Sequence, residues 1–171
     1  MQLENLRRYI GSKIVDAAPL TLGEYNKFRG WEIPVNEDPA TPGYIVQYPD
    51  GYISWSPTPQ FEEANRETNG MSFGLALEAA RKGFKIARAG WNGKGMWVIR
   101  IPGTKKAKFN PGTPYAVALK SHADEDGYVE NQEILPHYDM YTINAEGRQA
   151  MLPGWLASQS DMDADDWEIV S

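Results

Sequence analysis

Ala87-Arg88-Ala89-Gly90-Trp91-Asn92-Gly93-Lys94-Gly95-Met96 places a cation, an indole and a carboxamide beside a glycine-rich turn. An indole offers a stacking face to a base, a guanidinium offers a fork to phosphate, and an Asn amide both donates to and accepts from a base edge. A second cluster, Trp155-Leu156-Ala157-Ser158-Gln159-Ser160-Asp161, sets another indole ahead of a Ser-x-x-acid tetrad. That spacing starts a short helix through a capping box. The same helix start can present Ser158, Gln159 and backbone N–H groups to phosphate or ribose, while Asp161 accepts from a ribose hydroxyl or a base amine. Such a set suits a flat, polar, anionic ligand such as a nucleotide, and it is binding chemistry that demands no catalysis.

Each residue also has a plainer role. Trp91 and Trp155 serve equally as bulky core, Asn92-Gly93 is a strong turn signal, and an isolated Arg88 is usually a solvated charge. Phe73 falls at helical core spacing, while its neighbour Gly74 permits close approach of a ligand. Asp161-x-Asp163-x-Asp165-Asp166 lacks the glycine of a calcium-binding loop, and His122 and His137 stand without further metal-ligand companions. No metal and no cofactor is expected.

The elements that must position these groups fall into two modules. A chain of 171 residues, 42% hydrophobic and 23% charged, has the composition of a folded protein with a core. Seventeen basic against twenty-three acidic residues leave −6, which argues against binding long nucleic acid, and the lack of cysteine removes disulfides and thiolate chemistry. Met1–Tyr9 has no apolar leader segment and no stretch is apolar enough for a membrane span, so a cytosolic protein is expected.

Residues 1–70 read as a small α+β module that ends in a polar linker. Its parts are a strand over Lys13–Ala17, a helix near Leu22–Phe28 behind the Thr21/Glu24 capping spacing, a hairpin turning at Asp50-Gly51, and a helix near Pro59–Arg66. Trp31, Tyr44, Trp55 and Phe61 are its expected core. Residues 71–171 read as a second α+β module, a small mainly antiparallel sheet with short helices. Ser72 caps a helix that carries Phe73, Ala76, Leu77 and Ala80 on one face and stops at Gly83. Strands are expected over Phe84–Arg88, Met96–Ile101, Tyr115–Lys120, Tyr138–Ile143, Arg148–Leu152 and Trp167–Val170, with Ser121–Glu133 a surface loop or irregular insertion.

Residues 71–170 resemble the phage Thoeris anti-defence two family. The resemblance rests on Phe73-Gly74, the Ala87-Arg88-x-Gly90-Trp91-Asn92-Gly93 run, Pro114-Tyr115, and Trp155-x-x-Ser158-Gln159-x-Asp161 followed by Asp166-Trp167-Glu168. It implies a sponge that captures glycocyclic ADP-ribose made by bacterial TIR proteins, in some members with additional sites for cyclic oligonucleotides. It also implies a homotetramer built from dimers, pockets shared between subunits, and action in the cytoplasm of an infected bacterium. The stretch between Leu119 and Leu152 is longer than the compact family pattern. Residues 1–66 lie outside the match, and Tyr9–Val15 with Gly51–Pro57 resemble an accessory module of phage-encoded proteins. Two other classes remain open: a cyclic-nucleotide hydrolase using Asp161 and Asp163, and a phage scaffold or interaction module.

Overall fold

Thr21 opens the first helix in the computed structural model, which describes residues 12–93 and 95–171. Its hydroxyl accepts from Glu24 N at 3.3 Å while the Glu24 carboxylate accepts from Thr21 N at 2.9 Å, so each end of the capping box satisfies the other. The helix α1 (Leu22–Arg29) stops where Gly30 takes φ 69°, a conformation that an L side chain resists. It follows β1 (Asp16–Pro19), which lies further along the chain than the expected Lys13–Ala17.

The hairpin forms as expected. Strands β2 (Gly43–Gln47) and β3 (Ile53–Pro57) flank a turn in which Gly51 has φ 84° and returns its N–H to Tyr48 O at 2.8 Å. The order β1-β2-β3 is antiparallel throughout. Close packing dictates Gly43, because a Cβ there would lie 2.3 Å from the Trp55 ring. The helix α2 (Thr58–Ala64) carries Pro59 in its first turn, where the missing N–H costs nothing. Tyr25 and Val46 are buried, Tyr44 stacks on Phe61 at 4.2 Å, and the Trp55 indole donates to Leu20 O at 2.8 Å. Trp31 is not core: it is 54% exposed, because the left-handed turn at Gly30 carries the chain off α1 and leaves the indole edge-on to Tyr25 beneath the Arg29 guanidinium. Tyr9-Ile10-Gly11 of the accessory motif falls outside the described residues.

The described chain divides after Glu67 into two units. The second begins with α3 (Phe73–Arg81), for which Ser72 supplies the extended N-cap backbone but no side-chain bond. Ala76, Ala79 and Ala80 are buried, and Gly83, at φ 95°, ends the helix with Gly83 N donating to Ala80 O and Phe84 N to Ala79 O. Next come β4 (Lys85–Arg88), β5 (Trp97–Ile101) and β6 (Thr104–Phe109), then α4 (Pro114–Ala118). They are followed by β7 (Val129–Ile134), β8 (His137–Ile143), β9 (Gln149–Pro153), α5 (Gln159–Met162) and β10 (Trp167–Val170). The main sheet runs β10-β4-β5-β8-β9, antiparallel at every junction. Ile86, Val98 and Met140 face α3, whose alanines let helix and sheet approach closely, and Met71 and Trp167 complete this core. The α+β class is therefore established for both units.

Two expectations fail here. Tyr115–Lys120 is not a strand: Thr113 accepts from Ala116 N, Pro114 sits at the first turn, and these start signals outweigh the β-prone Tyr115 and Val117, which end 63% and 64% exposed on α4. Ser121–Glu133 is not simply a loop, because β7 begins at Val129 and pairs with β6 as a separate two-stranded ribbon. Lysines at 105, 106 and 108 mask the alternation of β6, whose one buried residue is Ala107. Among the described residues no helix is long and apolar enough to cross a membrane.

Thr68 O accepts from Ile169 N at 2.8 Å, and Met71 exchanges backbone bonds with Trp167 at 2.8 and 3.1 Å. A fragment starting at Thr68 is therefore expected to unfold cooperatively. One starting at Met71 should be about 1 kcal/mol less stable for loss of the Thr68 bond. Denaturant titration of the two fragments checks both outcomes.

Candidate ligand-binding site

Arg88 ends β4 on the core side of the sheet and reaches toward two later segments. Its Nε donates to Asp166 Oδ1 at 2.7 Å, its Nη2 to Asp166 Oδ2 at 3.4 Å, and its Nη1 to Asp161 Oδ1 at 3.0 Å and Ser160 O at 3.1 Å. The guanidinium fork is thus spent inside the protein, in a setting that leaves the side chain 17% exposed. Asp166 also accepts from Gly90 N at 2.7 Å, and a Cβ at Gly90 would come within 2.6 Å of that carboxylate. The glycine that opens the Trp91 turn is required by this contact.

Asp161 is the meeting point. Its Oδ1 accepts from Arg88 and from the Trp91 indole at 3.0 Å, and its Oδ2 accepts from Ser158 N at 2.9 Å and Ser158 Oγ at 2.7 Å. The Ser158 hydroxyl in turn accepts from Asp161 N at 3.2 Å, closing the capping box of α5. The Asp161 carbonyl accepts from the indole of Trp167, a residue with no exposed surface, at 2.9 Å. Around this carboxylate Trp91, Trp155 and Trp167 pack edge to face with centroids 5.4–6.1 Å apart, the arrangement that the ring quadrupoles favour.

Burial pushes the Asp161 carboxyl upward, but hydrogen bonds from Ser158, Trp91 and Arg88 outweigh that and hold it at about 2. Asp166 is lowered by Arg88 first and then by Gly90 N against burial, and Arg88 is raised by Asp166 and then Asp161. All three stay charged at neutral pH.

The structure therefore brings Arg88, Trp91, Trp155, Ser158 and Asp161 into one assembly. Phe73 joins at its edge, half-buried with its ring 5.4 Å from Trp167. Asn92, Gln159 and Gly74 stand apart from that network and are exposed, with nothing but Ser72 Oγ, at 4.0 Å, near the position a Gly74 side chain would take. The outer side of α5 forms an open depression lined by Gln159, Ser160, Met162 and Asp163. Sequence reasoning passed over Asp166 and Gly90 as site members. The Asp166-Trp167 pair was visible, but only the fold shows that it answers Arg88. Among the described residues no group of three or more His, Asp or Glu side chains could hold a metal ion.

A family model described as the Thoeris anti-defense 2-like domain matches residues 71–170. Thoeris anti-defense 2 of Bacillus phage SP01 is 31% identical over 104 residues, which cover 59% of this chain and 96% of that protein. Every residue of the Asp161 assembly lies within the matched span.

Replacing Asp161 by Asn sets an amide NH2 against a pair of donors whichever way it turns. The variant is expected to lose about 2–4 kcal/mol of stability at neutral pH. The folded-state value of Asp161, about 2, lies below its ordinary 3.8, so its contribution of about 2 kcal/mol is present above pH 4 and lost as pH falls toward 2. Urea midpoints measured across that window should fall for the parent protein, and this component of the fall should be absent from Asp161→Asn.

Proposed function

The chain belongs to the Thoeris anti-defense 2-like family, and on that premise we propose that it binds and sequesters a cyclic nucleotide immune signal without degrading it. Glycocyclic ADP-ribose is the first candidate ligand and cyclic oligonucleotides the second, so the protein would block Thoeris defence and, through the latter, cyclic-oligonucleotide signalling in the infected cell. The observation that carries this reading is the span of the likeness, which takes in nearly the whole length of the phage relative. The site supports it physically. The Trp91 indole, held by Asp161 and packed edge to face on Trp155, forms a prearranged aromatic wall, and binding to such a wall costs little ordering. Exposed Asn92 and Gln159 supply the directional groups that select a base or ribose edge.

Hydrolysis finds weaker support. Asp161, the nearest carboxylate to the indoles, is held at about 2 with both oxygens engaged, which makes it a poor general base at neutral pH.

Self-association belongs to the same proposal. On the sheet face turned away from α3, Trp97 stacks on Tyr141 at 4.7 Å, with Met151 paired to Tyr141 and Ile143 two positions along. Met151 and Ile143 are 44% and 43% exposed, an apolar surface that a second copy would bury in forming the homotetramer.

Calorimetry with glycocyclic ADP-ribose and cyclic di- and trinucleotides, combined with thermal unfolding, tests the site. Asn92→Ala and Gln159→Ala are expected to weaken or redirect binding at unchanged melting temperature. Trp91→Ala should cost about 1–3 kcal/mol of binding and also lower stability. Ligand recovered intact after denaturation supports sequestration. Converted product would instead identify an enzyme, and unchanged binding in all three variants would remove the site assignment.

A further inference from the structure

The chain contains two Asn-Gly pairs, Asn69-Gly70 and Asn92-Gly93. We propose that Asn92-Gly93 is a site of spontaneous covalent modification, converting to aspartate and isoaspartate in the folded protein while Asn69-Gly70 is protected. The Gly93 nitrogen attacks Asn92 Cγ, the N–Cγ bond forms, the Cγ–Nδ2 bond breaks, and the amide nitrogen leaves as ammonia with the displaced proton. Water then opens the cyclic imide at either carbonyl. One product is aspartate; in the other the backbone runs through the former side chain. Water is the only co-reactant, and no oxidation state changes.

Ring closure needs an unengaged Asn amide, an unshielded following nitrogen and freedom about the intervening torsions. Both Asn side chains are exposed, and neither pair has a hydrogen-bond partner for its side-chain amide or its glycine N–H among the described residues. The flanks separate them. Thr68 O is bonded to Ile169 N and Met71 to Trp167 in both directions, so Asn69 and Gly70 are two residues pinned at each end to β10. Asn92 follows Trp91, whose N–H makes a long 3.3 Å bond to Arg88 O, and strand pairing does not begin until β5 at Trp97. Asn92-Gly93 is thus anchored on its N-terminal side, through Trp91 and the Trp91–Asp161 bond, and has no strand pairing on its C-terminal side before Trp97, so its torsional freedom is greater than that of a pair pinned at both ends.

Packing also preserves the reactive dipeptide. A Cβ on Gly93 would lie 2.0 Å from Met96 Sδ, so the glycine of the reactive dipeptide is fixed by its neighbour. Each event adds one negative charge beside the Trp91 indole, taking the net charge from −6 to −7, and the isoaspartate form also lengthens the backbone by one atom. If the sequestration reading holds, both changes oppose an anionic ligand, and the modification limits the working life of the site.

The full-length protein, aged in mildly alkaline buffer at physiological temperature and then digested with trypsin, places the pairs on separate peptides, 89–94 and 67–81. Peptide mass spectrometry with an isoaspartate methyltransferase assay is expected to show conversion at Asn92 at least several-fold faster than at Asn69 in the folded protein. The two rates should converge in urea, and Asn92→Gln should abolish the acidic species that ion exchange resolves. An unmodified Asn92 in the folded protein, or conversion at Asn69 as fast as at Asn92, would overturn the proposal. These readouts use no ligand and are independent of whether the protein sequesters one.

Discussion

A single carboxylate accepts four hydrogen bonds from three separate stretches of chain, and the order of the second unit's indole cluster depends on it. Arg88 arrives from β4, Trp91 from the following turn, and Ser158 from the start of α5. An ionised carboxylate is the one side chain that accepts on both oxygens without donating, so its charge and its geometry are inseparable here. Burying that charge is costly, and the guanidinium with the surrounding donors offsets the cost. The backbone of the same residue holds the Trp167 indole, which ties the polar assembly to the apolar core between α3 and the sheet.

This arrangement divides the candidate residues by what their atoms are free to do. Arg88, Ser158 and Asp161 are occupied with one another and hold the Trp91 indole in place. Asn92 and Gln159 are exposed and lie outside that network. Trp91 belongs to both groups, since its N–H is engaged while its ring packs at the edge of the core. A guanidinium next to an indole in a sequence suggests a phosphate contact, yet the two carboxylates that claim this one neutralise it locally. Under the proposed sequestration, selectivity for an anion would come from neutral donors, a weaker but more directional means of discrimination.

Much of the fold was legible because its signals are local. The Thr21/Glu24 box, the Asp50-Gly51 hairpin, the alanine face of α3 with its Gly83 stop, and the β8–β9 hairpin each follow from residues within one element. The failures have separate causes. At Tyr115–Ala118 two local rules conflicted, and the start signals prevailed over β propensity. At β6 and β7 each strand buries a single residue, Ala107 and Val129, so no hydrophobic period marks them. The site was legible as a set of residues but not as a set of roles: Ser158 and Asp161 do form the capping box their spacing announces, and the carboxylate also reaches 70 residues back to Trp91. Spacing within a motif cannot reveal that second use, nor that Asp166 would hold Arg88 across 78 positions.

The placement of Trp167 bears on how the protein is made. This fully buried residue centres the core of the second unit, yet it belongs to β10, the last-made element of that unit, and pairs with Met71, near the first. A nascent chain can form α3 and the central strands early, but it has neither the central indole nor the donor that anchors Asp161 until synthesis of the unit is almost complete. Sheet closure is thus a late, long-range step, of the kind that slows folding and leaves partial products exposed. Chains released prematurely would lack β10 and with it the indole that centres the core, so incomplete copies would not complete this unit.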